Sequence, residues 1–478
     1  MISFLVSIVV LVIGYFVYGN YIERKFGIDV DRPTPAISKQ DGVDFVPLGL
    51  GKIFLIQFLN IAGLGPVFGA IAGAVWGPVA FLWIVFGSIF AGAVHDYFSG
   101  MLSIRHGGDS IPEIVGEYLG NGVKYFMRVF SVVLLILVGV VFVKGPATIL
   151  YELTGVSVSV LVILIFVYYL LATMIPIDKL IGKVYPIFGL SLLIMAVDLF
   201  FALLFQDYTI PELSIETLTN MHSNPEKYPI FPLLFVTIAC GAISGFHSTQ
   251  SPLMARCISN ESQGKKVFFG AMITEGIVAL IWAAIAMSFF GGVRELSETM
   301  AVEGHNAAWV VNVICNTTLG KIGGILAVFG VVAAPITSGD TAFRSARLTI
   351  ADAFNFNQSN IFKRLLVTVP IFIIAIALTK INFEIIWRYF GWSNQMLATV
   401  VLWAIAVYMK KQKKSIWFIL IPSAFMTAVV ITYILVAPEG FNLDYKVSYI
   451  LGLIVALGLS VWFLFSKGKN ELVSDKLE

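Results

Sequence analysis

Thirteen stretches of about twenty mostly apolar residues follow one another along this chain, each long enough to cross the hydrocarbon core of a bilayer as a helix. They cover 2–20, 53–75, 78–101, 125–144, 157–176, 184–206, 230–254, 267–289, 320–343, 363–380, 391–410, 415–437 and 447–466, and are called spans one to thirteen. Transmembrane strands would alternate apolar and polar residues in segments of about ten. These runs are continuous and longer. Because lipid offers backbone groups no partner, they read as helices, and the chain as an all-α membrane protein. Composition agrees. Of 478 residues, 58% are hydrophobic and only 13% are charged, against about 25% charged in soluble domains. A soluble enzyme, a disordered chain and a nucleic-acid binder are excluded. The net charge of +2 gives no basic field for phosphate. Three cysteines make neither a disulfide framework nor a metal quartet.

Charge sets the expected orientation. The first span has no basic segment before it and no small-residue cleavage site, so it reads as a retained helix rather than a signal peptide. With the N-terminus outside and thirteen crossings, 24 of the 31 Lys and Arg fall in cytoplasmic segments and seven in outside ones. That asymmetry is the positive-inside pattern, and one span more or fewer would scramble it. The expectation is a multi-pass protein of a prokaryotic cytoplasmic membrane with a cytoplasmic C-terminus and no soluble domain.

An internal repeat is visible next. Span two reads IAGLGPVFGAIAG from Ile61, and span seven reads ACGAISGFHS from Ala239. Both are interrupted by glycine in mid-membrane, and both open a set of five helices. Spans two to six begin near 53, 78, 125, 157 and 184; spans seven to eleven begin near 230, 267, 320, 363 and 391. Five is odd, so the second set enters from the opposite side. The long gap in each set also holds a short helix: Ser110, Pro112 and Glu113 make a capping box, and an amphipathic stretch runs from His305 to Ile314. The expected organisation is an N-terminal helix and loop (1–52), a first repeat (53–206), a second repeat (230–410), and two C-terminal helices with a tail (411–478).

Gly63, Gly65 and Pro66 together lower the cost of unwinding a helix. The amides and carbonyls so freed need partners, which an ion or a substrate supplies: half-helix N-termini suit anions, and bare carbonyls suit cations. An intact helix with a small-residue packing face is the plain alternative. Polar groups inside spans are the other candidates. Thr337 and Ser338 offer two hydroxyls for a small cation, or bond back to their own helix. Asp340 and Arg344 are four apart on one face, as a structural ion pair or a gate. Glu275 either carries a proton or bonds a neighbouring helix; His247, directly after the span-seven break, orients an anionic substrate, titrates near neutral pH, or caps the half-helix. His95 and Asp96 are adjacent, point in different directions, and so are not expected to form a relay. Asn60 caps the second half-helix or touches substrate, while Asn394 and Gln395 are expected to bond between helices. No hydrolase, zinc-protease or nucleotide-binding motif is present, so no enzyme activity or cofactor is expected.

Six blocks resemble the carbon starvation protein A family: DFVP at 44–47, IAGLGP at 61–66, GAVHD at 92–96, SIR at 103–105, CGAISGFHS at 240–248 and GAMITE at 270–275. Such a resemblance implies a peptide or pyruvate transporter built on the LeuT-like inverted repeat of five helices. In sodium-coupled relatives of that fold, the ion sits between the first and eighth core helices. Carried over by position, the ligands are the carbonyls of Leu59, Ala62 and Ala334 and the hydroxyls of Thr337 and Ser338. Longer family members carry two histidines before the glycine-rich break; here those positions are Ile56 and Gln57, so that pair's role does not carry over.

The combined expectation is a symporter, driven by Na+ or by a proton on Glu275 or His247. It imports a small carboxylate or short peptide held by Asn60, Gly63, Gly65, Gly241, Ser244, Gly245, Phe246 and His247, with spans four and nine as walls. A passive channel, or a nutrient sensor or scaffold, is the alternative. The lipid bilayer is the expected surrounding, with no nucleic acid; protein partners are not readable from the sequence.

Overall fold

The computed structural model describes residues 1–42, 44–172, 177–354, 356 and 361–466, and every regular element among them is helical. Ten helices are long and apolar enough to cross a membrane, or eleven if the bent pair Leu50–Ala62 and Gly65–Ala74 is one crossing. Two further expected spans are shorter helices: Val158–Ala172, and the pair Ile230–Thr237 and Gly245–Ala255. The chain is a multi-pass membrane protein. Large apolar side chains stand exposed along these helices, Phe16, Ile163, Ile373 and Trp462 among them.

Several expected boundaries shift. Span one continues to Phe26, so Arg24 and Lys25 lie in its last turn rather than after it. Gly27 ends it with φ 77°, a left-handed conformation that glycine adopts without strain. Span four is a 34-residue helix, Asn121–Thr154. It does not stop at Lys144, because that ammonium reaches the carbonyl of Ile381 and the helix runs on through Pro146. The end of span five and the C-terminal tail beyond 466 lie outside the described residues.

The two interfacial helices form, with one change. Helix Ile111–Leu119 starts after Ser110, but the capping box stays open. Glu113 turns instead to Arg128, 2.6 Å away, and to Lys124. In the other gap, Asn306 accepts the amide of Trp309 at 3.1 Å and starts helix Ala307–Thr318. A second short helix, Val293–Met300, precedes it.

The central packing depends on glycines where backbones touch. Gly92, in a π-helical turn of span three (Ser88–Gly92), faces the unwound part of span seven so closely that a Cβ would lie 2.2 Å from the carbonyl oxygen of Ala242. Backbone cannot give way as a side chain can, and overpacking costs about 1–3 kcal/mol or more. Gly92→Val is therefore expected to lower the melting temperature of the purified protein by several degrees. Gly458→Ala, which meets nothing within 4 Å, should leave it unchanged in the same thermal unfolding assay.

Candidate functional site

Two helices lose their winding and meet. Span two breaks between Ala62 and Gly65, with a 49° bend and a π-helical turn at Gly65–Gly69. Span seven leaves helix at Thr237 and resumes at Gly245, with Gly241 at φ 91°. A Cβ on Gly65 would lie 2.1 Å from the Cβ of Cys240, and one on Gly241 would lie 3.7 Å from the Cα of Pro66. The expected site residues Gly63, Gly65, Gly241 and Phe246 therefore gather at one point. Phe142 of span four closes a side of it. Its ring stands edge-on to Phe246 at 5.9 Å and against Gly63.

Side chains from neighbouring spans take up the backbone groups freed in span seven. Trp83 Nε1 donates to the carbonyl of Ile238 at 2.9 Å, Ser88 Oγ to that of Gly241 at 2.8 Å, and Gln395 Nε2 to that of Phe235 at 2.8 Å. At the start of the second half-helix, Phe246 N–H donates to Asn394 Oδ1 at 2.6 Å, and Ser244 Oγ donates to the same oxygen at 3.1 Å. A side-chain oxygen of the protein thus holds the Phe246 amide, next after the glycine amides expected to receive a carboxylate. His247 is not a cap; Ser244 occupies that position.

Four of the five expected sodium ligands also converge. Ser338 Oγ donates to the carbonyls of Leu59 at 2.8 Å and Ala334 at 3.1 Å, and Thr337 Oγ1 donates to Ala334 at 2.6 Å. In an unbroken helix the carbonyl of Leu59 would receive the amide of Gly63; the break frees it for Ser338. Ala62 ends the first half-helix three residues further on. These oxygens are the residues able to hold a monovalent cation: each hydroxyl has to turn from donor to ligand.

A second group joins the expected proton carriers His247 and Glu275 to His95 and Asp96, a grouping that was not foreseen. His95 Nδ1 lies 2.8 Å from Asp96 Oδ1, Asp96 Oδ2 lies 2.9 Å from His247 Nδ1, and His247 Nε2 lies 3.5 Å from Glu275 Oε2. All four side chains are fully buried. Adjacent His95 and Asp96 do meet, contrary to the expectation that they point apart. Cys240 Sγ, a His247 ring nitrogen and a Glu275 oxygen lie within 4.8 Å of one another. Both amide atoms of Asn60 and of Gln57, and both carboxylate oxygens of Glu275, are buried without a hydrogen-bond partner, so Asn60 does not cap the second half-helix. Gln57 and Asn60 are three apart and share one helical face.

The expected gate is arranged differently. Asp340 accepts from Tyr185 Oη at 2.6 Å. Arg344 reaches the carbonyl of Ala172 at 3.1 Å and stands 4.0 Å from Asp44. Three spans and the loop before span two thus meet around Asp340 and Arg344.

Asp96 and Gln57 were weighed from the sequence but not placed in the site, and Tyr185 was missed; Asn394 makes the interhelical contact expected of it. An ionisable residue in mid-span was the available signal for Asp96; for Tyr185 there was none. Asn394→Leu keeps volume but leaves the buried Phe246 amide unpaired. An orphaned buried donor costs about 1–3 kcal/mol, and a lowered thermal midpoint of the variant is the expected reading.

Comparison with known proteins follows from this geometry. The family model described as carbon starvation protein CstA matches residues 1–160, 145–326 and 306–433. An uncharacterized membrane protein of Haemophilus influenzae is 45% identical over 351 residues, which are 63% of this chain and 94% of that one. The peptide transporter CstA of Campylobacter jejuni is 28% identical over 58% of this chain. The pyruvate/proton symporter BtsT of Escherichia coli is 28% identical over 59% of it. In each case the match spans 48%, about half, of the transporter's own length. Among solved structures, a Na+-coupled sialic acid symporter superposes with a TM-score of 0.53 at 14% identity, covering 96% of this chain and 98% of that one. A mutant of the manganese transporter of Eremococcus coleocola gives 0.51 at 12% identity, covering 89% and 98%. These two share the fold alone. With the family model matching nearly the whole chain through its broken spans, the protein belongs to the carbon starvation protein CstA family.

Proposed function

We propose that this chain is an ion-coupled secondary active transporter that imports a small carboxylate-bearing nutrient, pyruvate-like or a short peptide, by alternating access. The observation that carries this reading is the contact of two mid-membrane breaks beside buried polar groups that have no partner in the protein. Such groups are costly in a dry interior, about 1–3 kcal/mol each, and a passing ligand repays that cost only while bound. The names of the Campylobacter and Escherichia relatives support the same class and both substrate types.

The thirteen-span count, the outside N-terminus and the LeuT-like pairing of spans two to six with spans seven to eleven belong to this proposal. Three features support the pairing. Each set opens with a broken helix. Each carries interfacial helices in its long gap. The two breaks lie against each other, as a pseudo-two-fold axis through the bilayer midplane requires. Substrate would sit beside the breaks, with Asn60 and Gln57 on one side, the span-seven segment 241–247 on the other, and Phe142 as a wall. Asn394 would yield the Phe246 and Ser244 positions to a carboxylate. Asp340 and Arg344, at the meeting of three spans, would work as part of a gate.

Sodium is the first choice of coupling ion, at Leu59, Ala62, Ala334, Thr337 and Ser338. The convergence of the Ser338 hydroxyl on carbonyls of both spans supports it. Binding there would tie the broken span two to span nine, so the ion's presence would bias which way the site opens.

Two variants test the reading in proteoliposomes. Thr337→Val with Ser338→Ala removes two oxygens and little volume; uptake is expected to lose its sodium dependence, and retained dependence would place the ion elsewhere. Asn60→Leu removes two unpartnered polar atoms. It should raise the melting temperature while weakening substrate affinity by about 1–3 kcal/mol, read by thermal shift over a panel of carboxylates and dipeptides with and without sodium. Unaltered affinity would take Asn60 out of the pocket.

A further inference from the structure

We propose that Asp96, His247 and Glu275 form a proton-carrying site at the break in span seven, separate from the sodium position between spans two and nine. This inference rests on the transport reading for its purpose, though not for its chemistry. The site is built from three spans: Asp96 from span three, His247 from the second half of span seven, Glu275 from span eight. The imidazole of His247 stands between two carboxylates, with Nδ1 2.9 Å from Asp96 and Nε2 3.5 Å from Glu275. His95 holds the other oxygen of Asp96 at 2.8 Å. The remaining titratable group facing His247 is Cys240.

Proton number decides the charge of this group. A protonated His247 donates from both ring nitrogens and serves both carboxylates; a neutral ring serves one. With His247 charged and both carboxylates ionised, these three groups carry one net negative charge in a fully buried place. A further proton on Glu275 brings it to zero. Glu275 is the natural acceptor, because neither of its oxygens has a hydrogen-bond partner, whereas Asp96 is held on both oxygens. A bare buried carboxylate is expensive and a carboxyl group much less so. The step is protonation alone: a proton from water bonds to a Glu275 oxygen on one side and returns to water on the other.

The cluster is also placed where conformation can read it. His247 is the third residue of the half-helix Gly245–Ala255, directly after the unwound segment. Tilting that half-helix against spans three and eight alters both of its carboxylate distances together. Proton occupancy and the orientation of the half-helix are then linked. Because a carboxylate substrate brings one negative charge, a companion proton would offset that charge.

Two measurements on the full chain test this. In pH-jump infrared difference spectra of the wild type, a protonated-carboxyl band should titrate, and Glu275→Gln should remove it. A band unchanged in the variant, or none in the wild type, overturns the site whether or not the protein transports anything. In proteoliposomes, labelled pyruvate and dialanine serve as probes. A one-unit inside-alkaline pH gradient supports roughly tenfold accumulation at one proton per substrate, since one unit is worth about 1.4 kcal/mol. Glu275→Gln and Asp96→Asn should keep counterflow exchange while that ratio falls toward one. Variants that still accumulate as the wild type does overturn the proposal. Absence of counterflow by the wild type with either probe would instead bring down the transport reading, and the infrared result alone would then decide the proton site.

Discussion

A peptide group inside a bilayer must find its hydrogen bond within the protein. Most of this structure can be understood as a response to that rule at two places where it is strained. Unwinding spans two and seven exposes amides and carbonyls at mid-depth. Trp83, Ser88, Gln395 and Asn394 reach in from spans three and eleven to pair those of span seven. The carbonyl of Leu59 in span two is taken by Ser338 of span nine. The spans that flank the breaks are thus chosen chemically as well as sterically: spans three and eleven contribute two polar side chains each, and span nine contributes Ser338.

The same rule explains where charge is tolerated. Ionisable groups within the bundle come in company. Asp96 sits between two imidazoles, Asp340 takes a tyrosine hydroxyl, and Arg344 finds a carbonyl and stands near Asp44. Among the buried groups described, Glu275 departs from this, with a histidine at 3.5 Å and no hydrogen bond. Exceptions of this kind mark positions where burial is maintained at a cost, which is the usual signature of a group that changes its state during work.

How much of this was legible in the sequence depended on distance along the chain. Features set by neighbouring residues were legible. The Gly63, Gly65 and Pro66 break is local conformational chemistry, and the short helix expected from His305 is an amphipathic run of neighbouring residues. The left-handed Gly241 belongs with them, in a motif that announces itself by composition. Features set by which helix lies beside which were not. That Asp96 faces His247, 151 residues away, requires knowing that spans three and seven pack through Gly92. That Glu113 abandons its capping box requires knowing that Lys124 and Arg128 come within reach. Even the adjacent pair His95 and Asp96 misled, because helical wheel directions describe where side chains leave the backbone and not where they end.

The fit of Gly65 against Cys240 leaves no gap between the two unwound segments. Whatever enters there has to wedge them apart, and in doing so uncovers a sulfur that is 2% exposed when they are closed. The chain's two other cysteines lie at distant points and are buried too. The Cys240 thiol is therefore a built-in reporter: the rate at which a small permeant reagent finds it measures how often the protein parts along its central seam.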